Sequence, residues 1–310
     1  MVTAEPMSNA SDDVDLEQLL IATSRTFALA IPLLPEPTRH EVTLSYLLFR
    51  IADTFEDAAA WPRELRVEAL ERFATLLEKP DPAATVELSR RWVEEVPCEQ
   101  PTYRDLLAEV PAVLDAFFAL SPAAVDLIRE HTGRTARGMA GFVARVSAGG
   151  ELRLTGLEDL QAYCYVVAGI VGELLTELFL LEHPVLAPVA AELRGRSRTF
   201  GEGLQLVNIL KDSASDANQG RLYLPDDLDR SFVLTLARHD LGEAAAYVHT
   251  LQSVGAERGL VAFNALPIHL AHATLDRVET AGPGSKLTRS EVFAIVQRLH
   301  RALDRGEPAV

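Results

Sequence analysis

Two aspartate pairs half a chain apart constrain most strongly what this sequence can fold into. They are Asp53 and Asp57 in Asp53-Thr54-Phe55-Glu56-Asp57, and Asp212 and Asp216 in Asp212-Ser213-Ala214-Ser215-Asp216. Each pair is spaced by four residues inside a long stretch of apolar residues at helical intervals, so each lies along one face of a helix. Like charges at that spacing destabilise an isolated helix by roughly 0.2–0.5 kcal/mol, and a cation is expected between them. Carboxylates from two facing helices suit Mg²⁺, particularly where a substrate phosphate supplies the remaining oxygens. The expectation is a diphosphate clamped between two helices of an all-α enzyme.

The rest of the chain is compatible with that frame. Helical periodicity runs almost throughout, and no run alternates as a strand would. The pattern predicts helices over 38–59, 63–79, 101–120, 122–146, 157–182, 186–215, 242–260, 261–280 and 289–304. Ser121-Pro122 offers an N-cap followed by proline at the first helical position, and Thr155 with Glu158 and Thr288 with Glu291 read as capping boxes. Prolines at 80–82, 97–101 and 184–188 mark turns too short for flexible linkers. Residues 13–310 therefore read as one all-α, single-domain helical bundle, and residues 1–12 as a disordered tail.

Composition narrows the partners. Of 310 residues 48% are hydrophobic and 24% charged, enough for a sizeable core, and the net charge is −16 with no block of lysine or arginine. That balance argues against nucleic acid and against a polybasic membrane tether. An acidic protein that binds a polyanion needs local cations. The two cysteines, Cys98 and Cys164, have neither metal-ligand spacing nor the pattern of a disulfide framework, and the first residues lack a signal-peptide profile, so a reduced cytoplasmic setting is expected. The greasiest stretch, Cys164 to Leu181, is interrupted by Glu173 and Glu177 and reads as a buried helix rather than a membrane span.

Around the first acid pair, Tyr46, Arg50, Asp53 and Asp57 step by four, three and four along one stripe. A lone D-x-x-x-D is common, and taken singly this stripe reads equally as a solvated face with an Arg50–Asp53 pair. Around the second, Gln205, Asn208, Asp212 and Asp216 step by three, four and four, and Arg221 follows closely. Buried amides and acids must find partners, and two matching stripes point to a site rather than to a polar network. Between them, Gly169 and Gly172 each cost about 1 kcal/mol against alanine in a helix interior, implying close backbone approach or room for a ligand. From the residues alone, Tyr163 reads as a packed core tyrosine, and Ser24 and Arg25 as either a phosphate-contacting turn or a helix end. No G-x-S-x-G, P-loop or H-E-x-x-H occurs, and His269 and His272 read as core or surface residues.

Several segments, in order, resemble the squalene synthases of the wider squalene/phytoene synthase family. They are S-R-T-F at 24–27, Y-L-L-F-R-I-A-D-T-F-E-D at 46–57, G-M-A-G-F at 138–142, Y-C-Y-V-V-A-G-I-V-G at 163–172, L-Q-L-V-N-I-L-K-D at 204–212 and G-R-L-Y-L-P at 220–225. Two more follow, F-N-A-L-P-I-H-L-A-H-A-T-L at 263–275 and K-L-T-R at 286–289. Residues 163–176 resemble a bacterial dehydrosqualene synthase as closely. Two positions depart from the family pattern: Lys211 stands where arginine is usual, and Ser215 where glutamate is usual. Lysine keeps the charge and loses the bidentate fork.

The resemblance implies an isoprenoid-synthase-type bundle that joins two farnesyl diphosphates head to head through presqualene diphosphate and reduces the product to squalene with NADPH. It implies Asp53, Asp57, Asp212 and Asp216, supported by Glu56, as Mg²⁺ ligands. It implies that Tyr163 handles a proton or steers the diphosphate that does so, and that Ser24, Arg25, Tyr46, Arg50, Gln205, Asn208, Lys211 and Arg221 bind substrate. By the same resemblance Lys286 and Arg289 are expected at the NADPH site, and a peripheral contact with the inner membrane face would serve product release. Sister activities giving phytoene, dehydrosqualene, presqualene diphosphate or hydroxysqualene share the same motifs. A terpene cyclase lacks its D-D-x-x-D here, and a non-catalytic scaffold would be expected to lose the aspartate pairs that this chain keeps.

Overall fold

The computed structural model describes residues 15–310 except 25, 96, 98 and 99. The tail at 1–12, Arg25 and Cys98 lie outside the described residues. Helices α1 (Leu16–Thr23), α2 (Phe27–Ala30), α3 (Thr38–Glu56), α4 (Arg63–Glu78), α5 (Pro82–Glu94), α6 (Pro101–Ala108), α7 (Val110–Phe118) and α8 (Pro122–Val143) form the first half. Helices α9 (Gly156–Cys164), α10 (Ile170–Glu182), α11 (Ala190–Asn218), α12 (Arg230–Ser253), α13 (Arg258–Ala281) and α14 (Arg289–Asp304) form the second. A π-helical turn, Tyr165–Gly169, joins α9 to α10 without a break, and a 3₁₀ turn, Pro184–Val189, leads into α11. The all-α expectation holds.

Local chemistry explains where the helices begin and where the sequence reading slipped. The predicted helix over 101–120 is two, because Pro111 at the start of α7 cannot donate to the preceding turn. Pro82 starts a helix as well as ending one: Asp81 accepts from the Ala84 N–H at 3.1 Å and caps α5, which the periodicity did not reveal. Asp229 likewise caps α12 twelve residues ahead of the expected start at 242. The Thr288–Glu291 capping box forms as expected. The one expected at Thr155 and Glu158 does not, since the Thr155 side chain makes no cap bond and its N–H donates to Asp159 at 2.9 Å. Two residues each of β1 (Leu152–Arg153) and β2 (Arg221–Leu222) pair in parallel, too short a run to show alternation.

Helix α3 is buried along most of its length and packs on α1, α4, α7, α8 and α10, while α11 packs on α10, α12, α13 and the π turn. The main core spans both halves, and a smaller cluster gathers Phe142, Tyr163, Leu206, Leu210 and Tyr223. Close approach of α10 and α11 depends on glycine. A Cβ on Gly172 would sit 2.1 Å from the Ser197 carbonyl oxygen, and one on Gly201 would sit 2.1 Å from that of Ala168. Close backbone approach is thus found at Gly172, which also lines the cavity described below. The continuous helix Gly156–Glu182 is long and apolar enough to cross a membrane by length and composition. Here it packs against α8 and α11.

Candidate active site

A cavity of about 240 Å³ lies between α3, α10, α11 and α13. Its lining changes character along two helices at once. On α3 it passes from Val42 through Phe49 to Arg50 and Asp53, and on α11 from Phe200 through Leu204 to Gln205 and Asn208. Apolar residues thus occupy one end, and Tyr46, Arg50, Asp53, Gln205 and Asn208 of the two predicted stripes the other, while Asp57, Asp212 and Asp216 lie outside the lining. Tyr247 packs edge-on against Phe200, with ring centroids 5.5 Å apart, and its hydroxyl pairs with that of Thr176 at 3.0 Å. These contacts place a buried polar pair at the apolar end.

At the polar end, the Tyr46 hydroxyl donates to the Thr23 carbonyl at 2.8 Å and accepts from Arg50 Nε at 3.2 Å. Arg50 also reaches Asp53 at 3.2 Å and lies over the rings of Tyr46 and Tyr103. Its guanidinium is held on several sides. Burial pushes the Asp53 carboxyl up to about 6; Arg50 opposes the shift and Asp57 adds to it.

The acids beyond the cavity carry cationic partners. Asp57 pairs with Arg221 at 2.7 Å, and Asp212 with Lys211 at 3.0 Å. Lys211 also donates to Asn208 at 3.3 Å, and Asn208 contacts Gln205 at 3.5 Å, so the second stripe is continuous. Burial and the Asp212 charge push Asp216 up to about 6, with Arg221 opposing and Asp57 adding a little. The two stripes therefore share one electrostatic field. Among the described residues, no three His, Cys, Asp or Glu side chains converge as a metal-holding group.

Glu56 and Tyr163 meet. The Tyr163 hydroxyl donates to Glu56 Oε1 at 3.1 Å, its ring stacks on Tyr223 at 4.5 Å, and Phe142 packs against its edge. Burial, then Asp57 and Asp53, push Glu56 up to about 8, while the Tyr163 bond opposes. Burial and the neighbouring Glu56 charge raise Tyr163 well above the ordinary tyrosine range. Phe142 ends the G-M-A-G-F segment, where Gly138 allows close packing on Val166 of the π turn. π turns of this kind recur at functional sites.

Other predicted residues are less directly engaged. The Ser24 hydroxyl accepts from the N–H of Phe27, the first residue of α2, at 2.9 Å, and Phe27 lines the cavity. Lys286 and Arg289 are exposed, and their segment is tied to the second stripe by the Gly284 N–H, which donates to the Lys211 carbonyl at 2.7 Å. Ser215 is exposed and bonds only its own helix backbone. Sequence reasoning missed Arg66, Tyr103 and Tyr223. Tyr223 lies in the quoted G-R-L-Y-L-P segment, whereas Arg66 and Tyr103 sit in stretches with no motif at all.

A squalene/phytoene synthase profile matches residues 20–235. The chain belongs to the squalene/phytoene synthase family. Members of this family are prenyltransferase-type enzymes that use prenyl diphosphates. The chain is 29% identical over 222 residues to Botryococcus squalene synthase of Botryococcus braunii, covering 71% of this chain and 44% of that protein. It is 32% identical over 213 residues to squalene synthase of Schizosaccharomyces pombe, covering 68% and 44%. The chain thus spans less than half the length of these curated relatives. A solved complex of TcSQS with the ligand BPH1237 superposes with a TM-score of 0.70 at 25% identity, over 94% of this chain and 89% of that one. A dehydrosqualene synthase complex shares the fold, with a TM-score of 0.62 at 18% identity over 95% of this chain and 97% of that one.

Proposed function

We propose that this member of the squalene/phytoene synthase family joins two farnesyl diphosphates head to head through presqualene diphosphate and reduces the product to squalene with NADPH. One observation carries the reading: both helices that bear acid stripes also line one cavity, and along each the lining turns from apolar to polar toward its acid pair. A prenyl chain fits the apolar stretch, and its diphosphate then faces Arg50 and the carboxylates.

The donor set fits Mg²⁺. Asp53, Asp57, Asp212 and Asp216 offer hard oxygens, and neighbouring aspartates add to the upward shift that burial gives Asp53 and Asp216, a repulsion that a cation would relieve. These four, with Glu56 in support, would hold the ion, which when bound neutralises charge on the departing diphosphate. The Arg221–Asp57 and Lys211–Asp212 pairs would open as it enters, freeing both cations for diphosphate oxygens. Arg50, fixed by Tyr46 and Tyr103, would bind without reorganising. Phe49, Val171, Phe200 and Leu204 would keep water from an allylic cation. Where Glu56 is ionised, Tyr163, which donates to it, would take the proton lost as the cyclopropane closes and pass its own to Glu56. Exposed Lys286 and Arg289, tethered beside Lys211, suit the phosphates of NADPH, which would supply hydride to the final cation.

The test is purified protein with farnesyl diphosphate and Mg²⁺, with and without NADPH, analysing hydrocarbons and phosphatase-treated diphosphates. Squalene appearing only with NADPH supports the full reading. Presqualene, dehydrosqualene or hydroxysqualene without squalene keeps the clamp and removes the reductive half. Phytoene from geranylgeranyl diphosphate reassigns the substrate, and no product from either substrate overturns the proposal.

A further inference from the structure

The last carbonyls of a helix lack partners within it, and α3 ends at Glu56, inside the first acid motif. Two guanidinium groups from different elements meet that end. Arg221 of β2 takes the Asp57 side chain at 2.7 Å and lies 3.5 Å from its carbonyl oxygen. Arg66, on the second turn of α4, donates through one terminal nitrogen to the Glu56 carbonyl. Both arginines line a second cavity of about 420 Å³, together with Glu56, Asp57 and Tyr223.

Arg66 is a poor choice for stability alone. Its Nε–H is buried without a partner, which costs about 1–3 kcal/mol. Burial pulls its pKa down, with Glu56 and Asp57 opposing the shift. What the side chain supplies is a charged donor at the carbonyl that fixes where α3 stops, and therefore where Glu56 and Asp57 point.

We propose that Arg66 is a positioning residue for the first acid motif, holding Glu56 and Asp57 in the arrangement that binds a divalent cation by capping the α3 carbonyl from outside. This rests on the cation clamp proposed above. Neither the squalene/phytoene synthase motifs in this chain nor its helical periodicity singles the residue out.

The experiment titrates Mn²⁺ into full-length wild type, Arg66→Met and Arg66→Lys in the absence of prenyl substrate, following free Mn²⁺ by electron paramagnetic resonance, with thermal unfolding alongside. Outer-shell partners of metal ligands are commonly worth about 10–100-fold in affinity. Arg66→Met is expected to weaken Mn²⁺ by that factor, and Arg66→Lys, which keeps a charged donor, to restore part of it. A purely structural arginine would instead shift unfolding and leave affinity in the folded fraction unchanged. Unchanged or tighter Mn²⁺ binding by Arg66→Met overturns the proposal. If that variant does not fold, Arg66→Lys decides: intermediate affinity supports it, and affinity at or above wild type overturns it. Absence of Mn²⁺ binding by wild type defeats the clamp itself, a separate result.

Discussion

Replacing Gly201 by alanine sets two effects of known size against each other. In a helix interior, glycine to alanine gains about 0.8–1.0 kcal/mol of propensity. Gly195 and Gly201 lie in the same helix, α11, and that gain is available at both. At Gly195, which is exposed, an added Cβ meets nothing within 4 Å, so Gly195→Ala should stabilise by the full amount. At Gly201 the new Cβ would fall 2.1 Å from the Ala168 carbonyl oxygen and 3.1 Å from the Gly169 Cα. Ordinary contact would require α11 and the π turn to part by about 1 Å, and the obstacle is backbone, which cannot rotate away. Overpacking of this kind costs about 1–3 kcal/mol, so the net effect should be destabilising by up to about 2 kcal/mol. Gly201 and Ala168 also line the cavity, so the same displacement should lower turnover, because an ångström of misplacement costs up to about 10²-fold. Thermal unfolding and product formation of both variants check this. A Gly201→Ala protein with a raised melting temperature and unimpaired activity would refute the claim that helix contact, rather than helix propensity, sets these positions.

Three further outcomes follow from the same geometry. Asp53→Asn and Asp212→Asn should each lower turnover by about 10²-fold or more without abolishing the fold, checked by product assay and circular dichroism; full activity in both would sink the clamp. Tyr247→Phe should cost only about 0.5–1.5 kcal/mol, because Thr176 keeps its bond to the Gly172 carbonyl, whereas Tyr247→Ala should lengthen the apolar end and shift the preference from C15 toward C20 diphosphates in competition assays. Glu41 is buried with one oxygen unpartnered, and burial, then Glu182 and Glu36, push it up to about 7. A folded-state pKa raised above the unfolded value of 4.5 means that its contribution is lost as pH rises from about 4.5 through 7. Glu41→Gln should therefore stabilise at pH 8, by up to about 3 kcal/mol, with the gain vanishing toward pH 4, as read from denaturant unfolding.

The sequence made the stripes legible because helical spacing alone puts Tyr46, Arg50, Asp53 and Asp57 on one face, and the structure brings the first three to the same cavity as Gln205 and Asn208. Polar identity at a fixed interval is local information. Glycine at 172 was legible for the same reason, since a residue that weakens a helix needs a cause, and the Ser197 carbonyl supplies it. What stayed hidden depends on contacts across the fold. Nothing near Arg66 marks it, because its partner is a main-chain carbonyl ten residues back, which any residue type would present. Tyr163 read as a core tyrosine until Glu56 was found 3.1 Å from its hydroxyl, a pairing over more than a hundred residues. The start of α12 was missed because its signal is a single capping aspartate, Asp229, rather than a periodic run.

The ion pairs at the acid motifs bear on how such a site is kept folded before it is loaded. Four aspartates and a glutamate gathered against an apolar core would repel one another, and burial raises the cost further. Arg221 on Asp57 and Lys211 on Asp212 offset that repulsion within the chain, on short tethers that also leave both cations beside the place a diphosphate would occupy. Such part-exposed pairs are worth roughly 0–1 kcal/mol each, little enough to exchange for a divalent ion and phosphate oxygens. The departure at Lys211 fits this exchange. An ammonium that contacts Asp212 and Asn208 as a point charge can turn to a phosphate without breaking a bidentate fork, which an arginine at the same position would have to surrender.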